Sequence, residues 1–287
     1  MTFTPVDVIP AAPQTVWRTP AVVNFALGGL GAGFYVAAAV AARLQSGPVL
    51  TLAAWLGPAL VLAGFVAVAT EAGRPLRGLR VLARVRTSWM SRELALGGLF
   101  AVLAALEFVT PHPALRALTA AVALALAAAQ GAIVRSARGV AAWDVAIMPV
   151  VFLAGALVSG LGLLLLVEGA AGGAVAPDRV VAVAITLPLA LIVWLGYLTW
   201  SDERAFVDAT RLLREGRPGI ALASASYFVP WCAGMLALAL PLPAAVPMLA
   251  GALMVAGQLY ARWLLIRAVG SLRPITLAHL TFHRRAT

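Results

Sequence analysis

The 287-residue chain has no lysine, one cysteine and three histidines, and only 11% of its residues are charged. Each scarcity removes a class of function. Without lysine there can be no retinal Schiff base. A lone Cys232 cannot hold an iron–sulfur cluster, which takes several thiolates, and it allows no internal disulfide. A bis-histidine haem needs two imidazoles at membrane depth, whereas His112 falls in a predicted loop and His279 and His283 in the C-terminal tail. No histidine, cysteine or carboxylate cluster has metal-ligand spacing, and there is no Gly-x-Ser-x-Gly elbow or phosphate-binding loop. Residues 1–16 carry no basic residue ahead of the first apolar run, so no cleavable signal peptide is expected and the first span acts as its own insertion signal.

What the chain has is apolar length. Hydrophobic residues make up 62% of it and the mean hydropathy is +0.97. Apolar runs long enough to cross a bilayer as helix, about 20 residues each, recur from end to end. A transmembrane β-barrel would instead show short alternating segments. The expected fold is all-α: a single polytopic transmembrane domain over 1–287, with eight helices at about 21–43, 49–71, 93–110, 115–136, 144–168, 178–200, 223–241 and 245–268. Pro230 is expected to kink the seventh. Two connections are long, 72–92 and 201–222. The second places Phe206, Ala209, Leu212 and Leu213 at helical spacing, which suggests an amphipathic helix on the membrane surface.

All 21 basic residues are arginine. With eight spans, both termini and alternate loops share one face, which holds seventeen arginines, while the opposite face holds three: Arg43, Arg116 and Arg179. The positive-inside rule then places both termini in the cytoplasm, in a multi-pass protein of the bacterial inner membrane. Arginines in short loops between apolar runs argue for orientation in lipid, not for nucleic acid.

Ionisable and amide side chains inside a bilayer are costly and become candidates for function. On the arginine-rich side these are Asn24, Glu71, Arg74, Glu93, Asp144 and Arg262, with Gln258 nearby; Glu107 and Glu168 lie towards the other side, and Gln130 is in the fourth span. A quinol site needs an apolar slot, hydrogen-bond partners for two ring oxygens and a proton acceptor. Glu71 can take the proton, Asn24 or Gln258 can hold an oxygen, and Trp89 can wall the slot. Plainer roles stand beside these. Glu71 and Arg74 can form an ion pair that closes a helix, Asn24 and Gln258 can be interhelical glue, Arg262 can neutralise a buried carboxylate, and Glu93 and Asp144 can be acids at helix N-termini. Trp17, Trp89, Trp143 and Trp200 fit an interfacial belt.

Three stretches resemble the dimethyl sulfoxide reductase anchor subunit family, kin of the polysulfide reductase membrane subunits. They are Asn24 to Gly33 in the first span, Glu71-Ala72-Gly73-Arg74-Pro75 running on to the loop Arg86-Thr87-Ser88-Trp89-Met90-Ser91-Arg92-Glu93, and Gly257-Gln258-Leu259-Tyr260-Ala261-Arg262 in the last span. The resemblance implies a membrane anchor for a molybdenum catalytic subunit and a four-cluster iron–sulfur subunit, docked on the face that holds the second-to-third loop. It implies a site for quinone, menaquinone or ubiquinone, as substrate, with no haem or cluster in the anchor. Glu71 falls where the family has an acid or histidine linked to quinol chemistry and Asn24 where it has a polar residue near the ring; Arg74, Trp89, Gln258 and Arg262 complete the set expected to bind the quinone. Glu71 and Gln258 depart from the family's commoner histidine or aspartate and glutamate. An arginine-rich cytoplasmic docking face fits a donor enzyme such as a sulfite-oxidising one. The alternatives are a proton-conducting or small-molecule transporter and an anchor with no quinone site.

Overall fold

A computed structural model describes residues 7–71, 82–172, 176–240, 243 and 245–276. Arg74, His279 and His283 lie outside the described residues. The helices are α1 (Thr19–Ala41), α2 (Pro48–Ala69), α3 (Trp89–Leu106), α4 (Pro113–Ser136), α5 (Met148–Ala170), α6 (Pro177–Leu198), α7 (Arg204–Arg214), α8 (Arg217–Ala223), α9 (Val229–Ala239) and α10 (Ala245–Trp263). Single π-helical turns, Ser224–Phe228 and Leu264–Ala268, join α8 to α9 and extend α10. Among the described residues eight helices are long and apolar enough to cross a membrane, with α8 and α9 forming one span, Arg217–Ala239.

Proline sets most of the starts. It lies in the first turn of α1, α2, α4, α5, α6 and α8, where the missing N–H would have had no helical partner. The seventh span differs most from expectation. It begins at Arg217, because the arginine at the boundary is part of the helix. Pro230 does not simply kink it. Its ring and absent N–H disfavour the normal bond to Ser226, and the preceding turn widens so that the Val229 amide bonds the Ser224 carbonyl.

The spans form two four-helix groups, α1–α4 and α5, α6, α8–α9 and α10, that meet chiefly where α5 packs on α1 and α4. Small residues allow the α1–α5 contact. A Cβ on Gly33 would stand 1.8 Å from the Ala156 carbonyl oxygen, and one on Gly160 2.0 Å from the Gly33 carbonyl carbon. The backbones therefore touch, as packing in lipid favours. Outward side chains such as Val66, Val102, Ile185, Leu189, Ile192 and Leu249 are exposed and make the lipid-facing belt.

One end of the bundle is closed by its own chain ends. Strand β1 (Asp7–Ile9) pairs antiparallel with β2 (Ile275–Thr276), and bridges join Pro13 to Ser271 and Val140 to Leu272. The first and last segments and the α4–α5 loop thus share one face, as an even number of spans requires.

Three local expectations are corrected here. Trp143 is not an interfacial residue. It is buried, stacks on Trp17 with centroids 4.8 Å apart and donates to the Leu265 carbonyl at 2.7 Å. Asp144 does not open α5; it lies in the preceding loop and pairs with Arg273 at 3.3 Å. The amphipathic helix exists as α7, but its buried line is Phe206, Thr210 and Leu213, with Leu212 exposed. Thr210 can be buried because its hydroxyl donates to the Phe206 carbonyl at 2.8 Å.

Candidate functional site

Asn24 is the sixth residue of α1, Glu93 the fifth of α3, and Gln130 stands six residues before the end of α4. Helices α1 and α3 leave the ribbon-capped face and α4 returns to it, so the three side chains share one level, about 6–9 Å inside at 1.5 Å per residue. All three are buried. Glu93 Oε1 accepts from Asn24 Nδ2 and from Gln130 Nε2, both at 3.0 Å, and Gln130 Nε2 also reaches the Asn24 carbonyl at 3.4 Å. Gly28 makes room for this arrangement, since a Cβ there would lie 2.2 Å from Gln130 Nε2. The other amide oxygens, Asn24 Oδ1 and Gln130 Oε1, are buried and have no hydrogen-bond partner among the described residues. Among the described residues no arginine forms an ion pair with Glu93.

A buried carboxylate held among the described residues by two neutral amides, beside two acceptors without partners there, is an unstable arrangement to keep for packing alone. A buried acceptor left unpaired costs about 1–3 kcal/mol. The group suits a ligand that donates hydrogen bonds, and a carboxyl that gains and loses a proton.

Next to this triad is a groove of about 1150 Å³ between α3 and α4. Its floor is Ala95, Leu96, Leu99, Ala125, Ala128, Ala129 and Ala132, and its mouth holds Trp89, Arg92, Arg135 and Arg138. Arg92 and Ala129 line the groove and are the chain neighbours of Glu93 and Gln130, but the triad's own side chains do not line it; they are buried behind the α3–α4 wall. Arg92 stacks over Trp89, 4.2 Å from the ring centroid, and donates to the Val85 and Arg86 carbonyls at 2.9 and 2.8 Å. These bonds fold the 82–88 loop onto the mouth.

Of the six residues expected to share a site, Arg74 lies outside the described residues and the other five are distributed. Asn24 lies in the triad and Trp89 at the groove mouth. Glu71 is exposed in the turn after α2, about 10 Å, or seven residues of helical rise, beyond Gly64, where α2 touches Asn24. Gln258 and Arg262 belong to the other helix group. Gln258 Nε2 donates to Ser226 Oγ at 2.8 Å and to the Tyr227 hydroxyl at 3.0 Å. Arg262 Nη2 donates to the Phe152 carbonyl at 2.9 Å. Arg262 does not neutralise a carboxylate; among the described residues it has no acidic partner.

Glu93 is the residue that the sequence reading set aside. It was expected to be an acid at a helix N-terminus, yet it sits past the first turn of α3 and faces inward. The available signal was its spacing. Glu93, Gly97, Phe100 and Ala104 recur at three or four residues and are all buried, which marks the inward stripe.

On the far side of the bundle, Glu107 takes the hydroxyl of Tyr35 and lies 3.9 Å from Arg116, which also ties the Leu44 carbonyl and Ser46 at 2.9 and 2.8 Å. This second buried acid accepts from Tyr35 and has a cation whose own donors are used, so it is a closed structural lock.

These features define a polytopic membrane subunit with one carboxylate-centred polar site beside a lipid-facing groove. The DMSO reductase anchor subunit (DmsC) family model matches residues 48–195, just over half the chain, and the chain belongs to that family. It is a membrane anchor subunit of a molybdoenzyme complex. The match includes Glu71, Trp89, Glu93 and Gln130, and ends before Gln258 and Arg262. No curated protein matches the chain.

Proposed function

We propose that this chain is the quinone-reactive anchor of its complex, passing electrons between a partner's iron–sulfur cluster and the quinone pool. The observation that carries this reading is the Asn24–Glu93–Gln130 triad, buried one residue behind the lining of the α3–α4 groove. The alanine-floored groove suits an isoprenoid tail entering from lipid, and Trp89 suits the wall of the ring site. A quinol presents two hydroxyl donors, and Asn24 Oδ1 and Gln130 Oε1 are two buried acceptors without partners among the described residues. Reduction of a quinone takes two electrons and two protons, and oxidation releases them. Glu93 serves as the proton-transferring group at one ring oxygen. Glu71, exposed on the same face, exchanges protons with water, and Arg74 follows it in sequence.

The arginine-rich face, which also carries both chain ends, is the docking surface for the iron–sulfur and molybdenum subunits. By the positive-inside rule it is cytoplasmic, which suits an enzyme that feeds electrons to quinone, for example from sulfite. The test is to purify the tagged chain from its native host in mild detergent and assay metals and extractable quinone. Molybdenum or tungsten with iron, plus quinone at near one per complex, is the expected result. An assembled metal-bearing complex that neither retains nor turns over quinone would leave the chain an anchor only.

A further inference from the structure

Arg262 carries a charge that its visible contacts do not need. Its side chain is buried, Nη2 bonds the Phe152 carbonyl at 2.9 Å, and the guanidinium lies 3.9 Å from the Phe152 ring centroid. Gly155 leaves it space, since a Cβ there would stand 2.7 Å from Nη2 and 2.6 Å from Gln258 Oε1. The groups around it are Ser226, Tyr227 and Gln258, and among the described residues none is a carboxylate. Ser226 and Tyr227 lie in one π-helical turn, and Arg262 stands just before the other; such turns concentrate at functional sites. A tie between α5 and α10 could be made by any neutral donor, whereas an unpaired buried cation is costly.

The cation is set just behind the triad. Phe152, which it stacks on, meets Phe25 edge-on with centroids 5.6 Å apart, and Phe25 follows Asn24 in the chain. From the next turn of α5, Ala156 comes within 3.7 Å of a Cβ placed on Gly29, a point that lies 3.8 Å from Gln130 Oε1. One helix layer, roughly 10 Å across, therefore separates Arg262 from Gln130, and the linking residues are phenylalanine, glycine and alanine. A charge acting across such a layer is weakly screened.

We propose that Arg262 is a positioning residue for the quinone site, a fixed cation whose field favours negative charge at the triad and on the quinone oxygen beside it. This rests on the quinone reading above. The charge attracts negative charge on Glu93 and on a ligand oxygen across that layer, and it does so without touching either.

The test uses the whole complex in membranes and two probes: a hydroxyquinone ionised at the assay pH and its neutral methyl ether. Arg262→Gln keeps a donor for the Phe152 carbonyl and removes the charge; Arg262→Lys keeps the charge. At about 10 Å and an effective dielectric constant near 20, loss of the charge corresponds to a weakening on the order of tenfold. The expected result is that the anionic probe binds about tenfold more weakly to Arg262→Gln, the neutral ether binds as before, and Arg262→Lys retains both affinities. Equal weakening of both probes, or none, would overturn the proposal and leave Arg262 a packing tie. If Arg262→Gln fails to assemble, Arg262→Met and the Lys variant decide by the same comparison. Failure of either probe to bind the wild-type complex would sink the quinone site itself along with this inference.

Discussion

Replacing Glu93 with glutamine separates the chemistry of the triad from its packing. The substitution is nearly isosteric. The new side-chain oxygen can accept from Asn24 Nδ2 and Gln130 Nε2 as Glu93 Oε1 does at 3.0 Å. Both accepting bonds are kept with no amide turned over, and removal of a buried negative charge is favourable. Glu93→Gln should therefore assemble with its partners and unfold no lower than wild type. What it loses is the proton. A positioned acid–base group contributes 10²- to 10⁴-fold, or about 3–5 kcal/mol in the barrier, so quinone-linked turnover per assembled complex should fall at least ~100-fold. Electron transfer from the catalytic subunit to a soluble acceptor that bypasses the membrane should persist. Wild-type quinone turnover in an intact variant would remove Glu93 from the chemistry. A complex that loses both assembly and bypass activity would show the carboxylate to be structural.

Three further outcomes are expected. Gly33→Ala drives a methyl into the Ala156 carbonyl; overpacking of about 1–3 kcal/mol or more exceeds the helix-propensity gain of about 1 kcal/mol, so the unfolding temperature in detergent should fall, and an unchanged value would mean that the α1–α5 seam can part freely. Arg116→Met strips the buried Glu107 of its cation and should cost about 3–5 kcal/mol by thermal unfolding, with quinone turnover per assembled complex unchanged. In a Cys232→Ala background, Arg43→Cys should label with an impermeant maleimide on intact spheroplasts, and Arg138→Cys only after permeabilisation; the reverse pattern would place the arginine-rich face outside.

Span number and placement were legible because bilayer thickness imposes a length that apolar runs must meet, and proline and arginine mark where runs stop. The motif through Glu71 and Trp89 was legible as local sequence. The pairing of Glu93 with Asn24 and Gln130 was not, because those partners lie 69 and 37 residues away and only tertiary packing levels them. The same holds for Gln258 and Arg262. Their polar character was visible from sequence, but their membership of the second helix group depends on which helices pack together. Trp143 misled because a tryptophan at a span end usually faces the interface, and here the chain ends fold over it.

The ribbon that closes the bundle also orders events in time. Gln14 bonds the carbonyl of Ile266 across 252 residues, and β1 pairs with β2, so the segment before the first described span must wait for the segment after the eighth. No intermediate that lacks the eighth described span can complete that cap. The finished face therefore forms only once all eight described spans are in place, and a partner that recognises it is recruited only to such bundles.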